Sequence, residues 1–182
     1  MDSFFYFAYG SNMLRERLRA RCKSASVLGV AVASGYSIIF GKRSDDGSGK
    51  ATIVKSDVNR SSVYGVLFEI KGTELSELDK FERCGNGYDR NDSFDVELIV
   101  DGKQLQVTTY IASLDYVDST LKPYDWYKAL VLAGALQNAL NSTYIKNLRA
   151  IPVIKDKKEC RKRRIEALDV LNKAGYPDYK QI

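Results

Sequence analysis

The stretch Phe4-Phe5-Tyr6-Phe7-Ala8-Tyr9-Gly10-Ser11-Asn12 is an unbroken aromatic run that ends in three small or polar residues. Such a run is typical of a buried strand. Residues 13–21 then have helical spacing, with Ser11 or Asn12 as the expected N-cap. A strand, turn and helix in this order point backbone N–H groups at an anionic ligand, and Gly10 would let that ligand come close to the backbone. A plain turn with a helix cap produces the same pattern.

Strand signals dominate the next ninety residues. Residues 27–32, 36–40, 51–54 and 63–70 are predicted strands, and residues 45–49 predict a loop or a hairpin turn. The dipeptide Asp101-Gly102 between residues 94–100 and 105–111 predicts a tight hairpin.

Helical patterns occupy most of the remainder. They cover residues 13–21, 74–83, 124–140, 142–148 with Ser142 as the cap, and 156–174, where Gly175 and Pro177 stop the last helix. Strands followed by helices predict an α+β fold, with a mostly antiparallel sheet or small barrel and helices toward the C-terminus. We expect a single domain spanning residues 1–182, with a basic C-terminal helix at about 155–174.

The composition excludes several kinds of chemistry. There is no histidine, so Ser-His-Asp and Cys-His catalysis and histidine-ligated zinc are excluded. Three scattered cysteines predict neither a disulfide framework nor a metal site. The net charge of +5 is carried by residues 155–164, which hold seven basic and two acidic residues. We therefore expect no nucleic-acid partner, although a basic-helix binding module for nucleic acid or protein is the alternative function.

No membrane-length apolar run and no export signal are found, so the sequence predicts no membrane contact and a cytoplasmic location. An acid–base group would have to be Glu, Asp, Lys, Tyr or Cys. Glu82 is a candidate because it shares a helix face with Leu75 and Leu78. Partial desolvation there would favour proton transfer near neutral pH. The alternative is that Glu82 meets solvent or Arg83 at a frayed helix end.

Two motifs resemble the γ-glutamylcyclotransferase family, which has the AIG2-like or BtrG-like fold. They are residues 6–12, Tyr-Phe-Ala-Tyr-Gly-Ser-Asn, and residues 78–82, Leu-Asp-Lys-Phe-Glu. Residues 64–68, 107–111 and 126–135 resemble further family segments, so the resemblance runs from about residue 5 to about residue 151. It implies a small mixed barrel flanked by helices.

The resemblance also implies a reaction, in which a γ-glutamyl amine or amino acid cyclises to 5-oxoproline and releases the amine. Glu82 would be the catalytic acid/base. The implied substrate-binding residues are Tyr6, Phe7, Ala8, Tyr9, Gly10, Ser11, Asn12, Tyr88, Tyr110 and Tyr127. The resemblance implies no cofactor and no metal, a small-molecule substrate and a possible homodimer.

Two positions beside Glu82 depart from the family pattern. Arg83 replaces a usual glycine, and it would either favour an extra acidic group on the substrate or be a solvated charge. The interval after Glu82 is short by about one residue, so the family tyrosine corresponds to Tyr88 or its place falls on Asp89. Both departures leave open which amine is released, and it could differ from the amine that the family releases.

Overall fold

The computed structural model describes residues 2–58 and 61–182. Its strands are β1 Ser3–Ala8, β2 Ser26–Ser34, β3 Tyr36–Arg43, β4 Gly49–Lys55, β5 Ser62–Lys71, β6 Tyr88–Leu98 and β7 Lys103–Ala112. Its α-helices are α1 Arg15–Arg19, α2 Leu75–Glu82, α3 Asp125–Gln137, α4 Ser142–Ala150 and α5 Lys162–Lys173.

Five strands close into a barrel in the order β1-β5-β2-β6-β7, and β3 and β4 form a separate hairpin. The barrel pairs are antiparallel except where β1 meets β7 in parallel, with Tyr6 opposite Thr108. The predicted mixed, mostly antiparallel barrel with flanking helices is therefore confirmed. One buried apolar cluster joins barrel residues such as Phe7 to α3 and to Leu171 in α5.

The helix predicted at residues 13–21 is a 3₁₀ turn, Ser11–Met13, followed by the short α1. Neither Ser11 nor Asn12 caps a helix, so that prediction was wrong. Their side chains have other partners: Asn12 Nδ2 donates to Tyr6 Oη at 3.0 Å, and Ser11 Oγ accepts from Arg17 Nε at 3.0 Å. Tertiary contacts have replaced local capping at this turn.

The C-terminal helices also begin at different residues from those predicted. Asn141, and not Ser142, caps α4, through a hydrogen bond from Tyr144 N to its side chain at 3.1 Å. The last helix starts at Lys162 because Asp156 is held in an irregular segment. Its carboxylate accepts from Trp126 Nε1 at 3.0 Å and from Arg161 Nε at 2.6 Å. Among the described residues, no helix is both long and apolar enough to cross a bilayer.

Helix α3 holds the turn that follows β1. A Cβ on Gly134 would lie 2.6 Å from Leu14 N, so only glycine permits this approach. Asn138 Nδ2 donates to Met13 O at 3.1 Å, and Gln137 Oε1 accepts from Arg15 N at 3.1 Å. These contacts fix the position of residues 10–14 relative to the barrel.

Candidate active site

Glu82 is the last residue of α2, and the fold brings it to the turn after β1. Leu78 is fully buried and anchors the helix, while the Glu82 side chain is 14% exposed. Its Oε1 accepts a hydrogen bond from Asn12 Nδ2 at 2.8 Å. The carboxylate and the Gly-Ser-Asn turn, separated by seventy residues in sequence, thus form one site.

Arg21 provides a second contact to the same carboxylate, which sequence reasoning missed. Its Nη1 lies 2.8 Å from Glu82 Oε1, and its guanidinium lies over the Phe81 ring, 5.2 Å from the ring centroid. Each charge of this ion pair thus has a partner in a site with little solvent. The pocket is therefore more polar than the apolar face of α2 suggested. A contact over sixty-one residues leaves no local pattern in the sequence.

Tyrosines make up half of the lining of the inner pocket beside Glu82. The pocket has a volume of about 30 Å³. It is lined by Tyr6, Tyr9, Gly10, Ser11, Asn12, Ala51, Glu82, Tyr88, Tyr110 and Tyr127. Burial raises the pKa of Tyr6, Tyr88 and Tyr127, so these hydroxyls stay protonated at neutral pH and can donate hydrogen bonds.

The tyrosine hydroxyls also fix the neighbouring backbone. Tyr88 Oη donates to Ala51 O at 2.7 Å, and Ala51 N donates to Tyr127 Oη at 3.1 Å. Tyr9 Oη donates to the carbonyl oxygen of Tyr110. Ala51, which sequence reasoning missed, is therefore held between β6 and α3. Tyr88 reaches the pocket and Asp89 is exposed, which supports Tyr88 as the counterpart of the family tyrosine.

Phe7 and Ala8 are not among the residues that line the inner pocket. Phe7 is fully buried and stacks on Phe94, with ring centroids 6.0 Å apart. Ala8 is 1% exposed and pairs with Val66 across the β1–β5 ladder. Both residues support the turn from the core. The other sequence-predicted site residues lie together at the pocket.

A larger cleft of about 500 Å³ opens from the inner pocket and shares Ser11, Glu82, Tyr88 and Tyr127 with it. Its remaining walls come from α1, the β3–β4 hairpin, α2, α3 and α5. Six basic side chains line it, namely Arg17, Arg21, Lys42, Lys50, Arg83 and Arg163. Sequence reasoning singled out Arg83 and included Arg163 in the basic segment 155–164, but it assigned none of the other four to a site.

Lys50 holds the β3–β4 hairpin against α3. Its Nζ lies 3.0 Å from Asp46 Oδ2, 4.7 Å from the ring centroid of Tyr127 and 4.9 Å from that of Trp126. Burial lowers the pKa of Lys50 to about 8, while Asp46 opposes this shift. The ion pair and the aromatic contacts compensate the buried ammonium.

Arg83 ends α2 in the left-handed region, with φ 55° and ψ 46°. Its guanidinium makes an ion pair with Asp45 at 2.5 Å, in which both side chains are well exposed. An exposed pair of this kind contributes up to about 1 kcal/mol, whereas the left-handed conformation costs roughly 1–2 kcal/mol for a residue with a Cβ. The strain lies directly beside Glu82, at a wall of the larger cleft.

Replacing Arg83 with glycine or alanine separates these two effects. Both variants lose the ion pair, but only Arg83→Gly removes the backbone strain. We expect the Arg83→Gly protein to be more stable than the Arg83→Ala protein. Urea denaturation should give it a free energy of unfolding that is higher by about 1 kcal/mol. Equal stabilities for the two variants would show that the left-handed conformation is not strained.

Known proteins share this sequence pattern and this fold. The family model described as "Gamma-glutamyl cyclotransferase, AIG2-like" matches residues 6–129. The γ-glutamylcyclotransferases of Bos taurus and Homo sapiens are 33% and 32% identical over 158 residues, which cover 82% of this chain and 79% of each relative. A solved structure of a γ-glutamyl cyclotransferase superposes with a TM-score of 0.82 at 29% identity, covering 94% of this chain and 99% of that one.

Proposed function

Since the chain belongs to the AIG2-like γ-glutamyl cyclotransferase family, we propose that it cyclises the γ-glutamyl part of its substrate to 5-oxoproline and releases the attached amine. The α-amino nitrogen attacks the γ-carbonyl carbon, and the new N–C bond closes a five-membered ring. The amide C–N bond to the leaving amine then breaks. Because the attack is intramolecular, holding the glutamyl chain in its folded conformer supplies much of the acceleration.

The contact between Asn12 and Glu82 is the observation that carries this proposal. Asn12 donates through Nδ2 to Glu82, while its buried Oδ1 has no hydrogen-bond partner among the described residues. The Asn12 contact thus fixes the Glu82 carboxylate at the wall of the inner pocket, where a substrate amine would lie next to it.

Glu82 is proposed to move the proton that the reaction requires. The α-ammonium group must lose a proton before its nitrogen can attack, and Glu82 would accept it. The leaving nitrogen must gain a proton as the amide bond breaks, and the protonated Glu82 would supply it. The ring nitrogen loses a second proton as the lactam forms, and that proton converts the released amine to its ammonium form. The Glu82 carboxylate thereby returns to its ionised state and its ion pair with Arg21.

The rest of the inner pocket supplies donors for the oxygen atoms of the substrate. The first N–H groups of the 3₁₀ turn Ser11–Met13 have no partner within the turn, so they can bind a carboxylate or the oxyanion that forms at the γ-carbonyl. The protonated hydroxyls of Tyr6 and Tyr127, which accept hydrogen bonds from Asn12 Nδ2 and Ala51 N and keep their own protons to donate, lie beside them. A volume of about 30 Å³ holds only the reacting end of the substrate, so the remainder would extend into the larger cleft.

A screen of γ-glutamyl compounds for released 5-oxoproline tests the proposal. The screen should include γ-glutamyl amino acids, glutathione, and compounds in which the γ-glutamyl group is attached to the ε-amine of lysine. We expect 5-oxoproline and the free amine to form in equal amounts from at least one class. The matched control is the α-glutamyl isomer of each active compound, which cannot release its amine by this ring closure. Release from α-isomers, or from no compound at all, would contradict the proposal.

A further inference from the structure

The charges in the larger cleft are not balanced. Besides the six basic side chains, its lining includes three acidic ones, Glu82, Glu166 and Asp169. Two of the cations have their own carboxylates, since Arg21 pairs with Glu82 and Lys50 pairs with Asp46. In the described part of the chain, the other four cations of the cleft have no carboxylate of their own, and they are Arg17, Lys42, Arg83 and Arg163.

Arg83 and Arg163 share a single carboxylate. Asp45 Oδ2 lies 2.5 Å from Arg83 Nη1 and 3.7 Å from Arg163 Nη2, and the Asp45 side chain is 64% exposed. Arg163 also donates to Ser44 Oγ at 3.2 Å. One carboxylate that faces solvent cannot neutralise two guanidinium groups, so this part of the cleft keeps a positive charge.

Lys42 is the most unusual cation of the set. The residue is only 5% exposed, and among the described residues no carboxylate lies within 4.0 Å of its ammonium group. The ammonium lies 5.0 Å from the ring centroid of Tyr88 and 6.0 Å from that of Tyr116. Burial and the nearby Arg83 lower the pKa of Lys42, and the more distant Asp45 and Glu82 oppose this shift only in part.

The surroundings of Lys42 hold its ammonium at the cleft wall. Gly87 has a φ of +144°, and a Cβ there would lie 2.9 Å from Lys42 Nζ, so a larger residue would displace it. In the β3–β4 ladder Lys42 is directly opposite Lys50, and like charges at such positions are destabilising. Lys50 has Asp46 as a partner, whereas the anion that Lys42 would need is not supplied by the described chain.

Arg17 lines the larger cleft and contacts the turn through Ser11. Its Nε donates to Ser11 Oγ, which leaves the terminal N–H groups available, and among the described residues it makes no ion pair. Every γ-glutamyl amino acid has a glutamyl carboxylate close to the reacting centre, and Arg17 is placed to bind it. Lys42 would then be available for a different anionic group.

We propose that Lys42, Arg83 and Arg163 form a subsite for an anionic side-chain group of the leaving amino acid, distinct from its α-carboxylate, so that the preferred substrates are γ-glutamyl conjugates of acidic amino acids. This inference rests on the proposed cyclisation for its choice of substrate. It gives Arg83 a role that accounts for a strained backbone beside Glu82. It also gives α5 a role in the site through Arg163, beyond the residues that the family model matches.

The test compares two pairs of nearly isosteric substrates, γ-glutamylglutamate with γ-glutamylglutamine and γ-glutamylaspartate with γ-glutamylasparagine. We expect kcat/KM to favour the acidic member of each pair by about 10-fold or more, the usual value of a charge-assisted contact. The preference should shrink as salt is added, because the cleft is open to screening. Equal kcat/KM values within both pairs would overturn the inference while leaving the cyclisation intact.

Substitutions test which residues cause the preference for acidic substrates. Lys42→Met should reduce the preference to about 3-fold or less, and Arg163→Met, at a half-exposed position that tolerates substitution, should reduce it partly. Lys55→Met, at an exposed residue at the end of β4, is the matched control and should keep the wild-type ratio. A full preference in Lys42→Met would also overturn the subsite.

The inference can be tested even if the cyclisation fails. If none of the four dipeptides releases 5-oxoproline, their dissociation constants for the wild-type protein, measured by calorimetry, provide a second readout. Tighter binding of the acidic members, lost in Lys42→Met, would support the subsite although the proposed reaction had failed. Equal affinities within both pairs would reject the subsite, while the cyclisation is judged by the wider screen of γ-glutamyl compounds.

Discussion

Glu82→Gln should lose nearly all formation of 5-oxoproline, with kcat reduced about 10²- to 10⁴-fold, the range for loss of a general acid–base group. Glutamine has almost the same shape as glutamate and can still accept the hydrogen bond from Asn12 Nδ2 through its amide oxygen. It cannot take a proton from the substrate ammonium. The rate of 5-oxoproline release from the best substrate of the screen measures the effect.

The same substitution should leave the protein folded but less stable. Arg21, which is 17% exposed in its side chain, would lose the carboxylate that compensates its charge. Leaving a partly buried charge without its partner costs about 1–3 kcal/mol. Urea denaturation and circular dichroism would show a native fold with a lower free energy of unfolding. Activity must therefore be measured well below the denaturation midpoint.

Glu77→Gln is the matched control for this loss of activity. Glu77 lies in the same helix, is 51% exposed in its side chain, and among the described residues its carboxylate pairs with Lys80 alone. Removing its charge should leave kcat unchanged. It should change the free energy of unfolding by less than about 1 kcal/mol. If Glu82→Gln retained wild-type turnover, Glu82 could not be the proton-transfer group.

The strands could be predicted from the sequence because their signals are local. Apolar runs and the Asp101-Gly102 turn predicted the ends of the barrel strands to within a few residues. The exception is the first part of β6. Residues 88–93 are polar and include an irregular register between Asn91 and Phe94, so no alternation marks them. The helix starts were predicted less well. Ser11 and Asn12 look like capping residues in sequence, and Asp156 was predicted to begin the last helix, but each has a tertiary partner instead.

The inner pocket could be predicted from local sequence signals, whereas the larger cleft could not. The inner pocket could be anticipated because residues 6–12 and Glu82 lie in two compact motifs. The cleft could not, since Arg17, Lys42 and Arg163 come from elements that meet only in the folded chain. The basic segment 155–164 appeared as one surface patch, but the structure divides it. Arg161 binds Asp156, while Arg163 faces the cleft.

Catalysis by this arrangement depends on the position of the Gly-Ser-Asn turn, which is set by a helix far away in sequence. The turn bears Asn12, the only described contact between the loop and Glu82, on a 3₁₀ segment of three residues. So short a segment cannot fix its own orientation, and the backbone of α3 supports it at Gly134. Packing at Gly134 should therefore affect both stability and activity.

Gly134→Ala tests that coupling. The added Cβ would lie 2.6 Å from Leu14 N and 2.7 Å from Met13 Cβ, so the turn must move away from α3. We expect the free energy of unfolding to fall by about 1–3 kcal/mol through overpacking. We also expect kcat/KM to fall by about 100-fold, the effect of a misplacement of roughly 1 Å in a catalytic group.

Ala129→Gly, in the same helix, separates the two consequences of Gly134→Ala. It destabilises α3 by about 1 kcal/mol through helix propensity but adds no atom against the turn. Both variants should therefore unfold at lower urea concentrations than the wild-type protein, and only Gly134→Ala should be slow when fully folded. A Gly134→Ala protein with wild-type kcat/KM would mean that the turn can shift without moving Asn12 away from Glu82. The close contact with α3 would then serve stability alone.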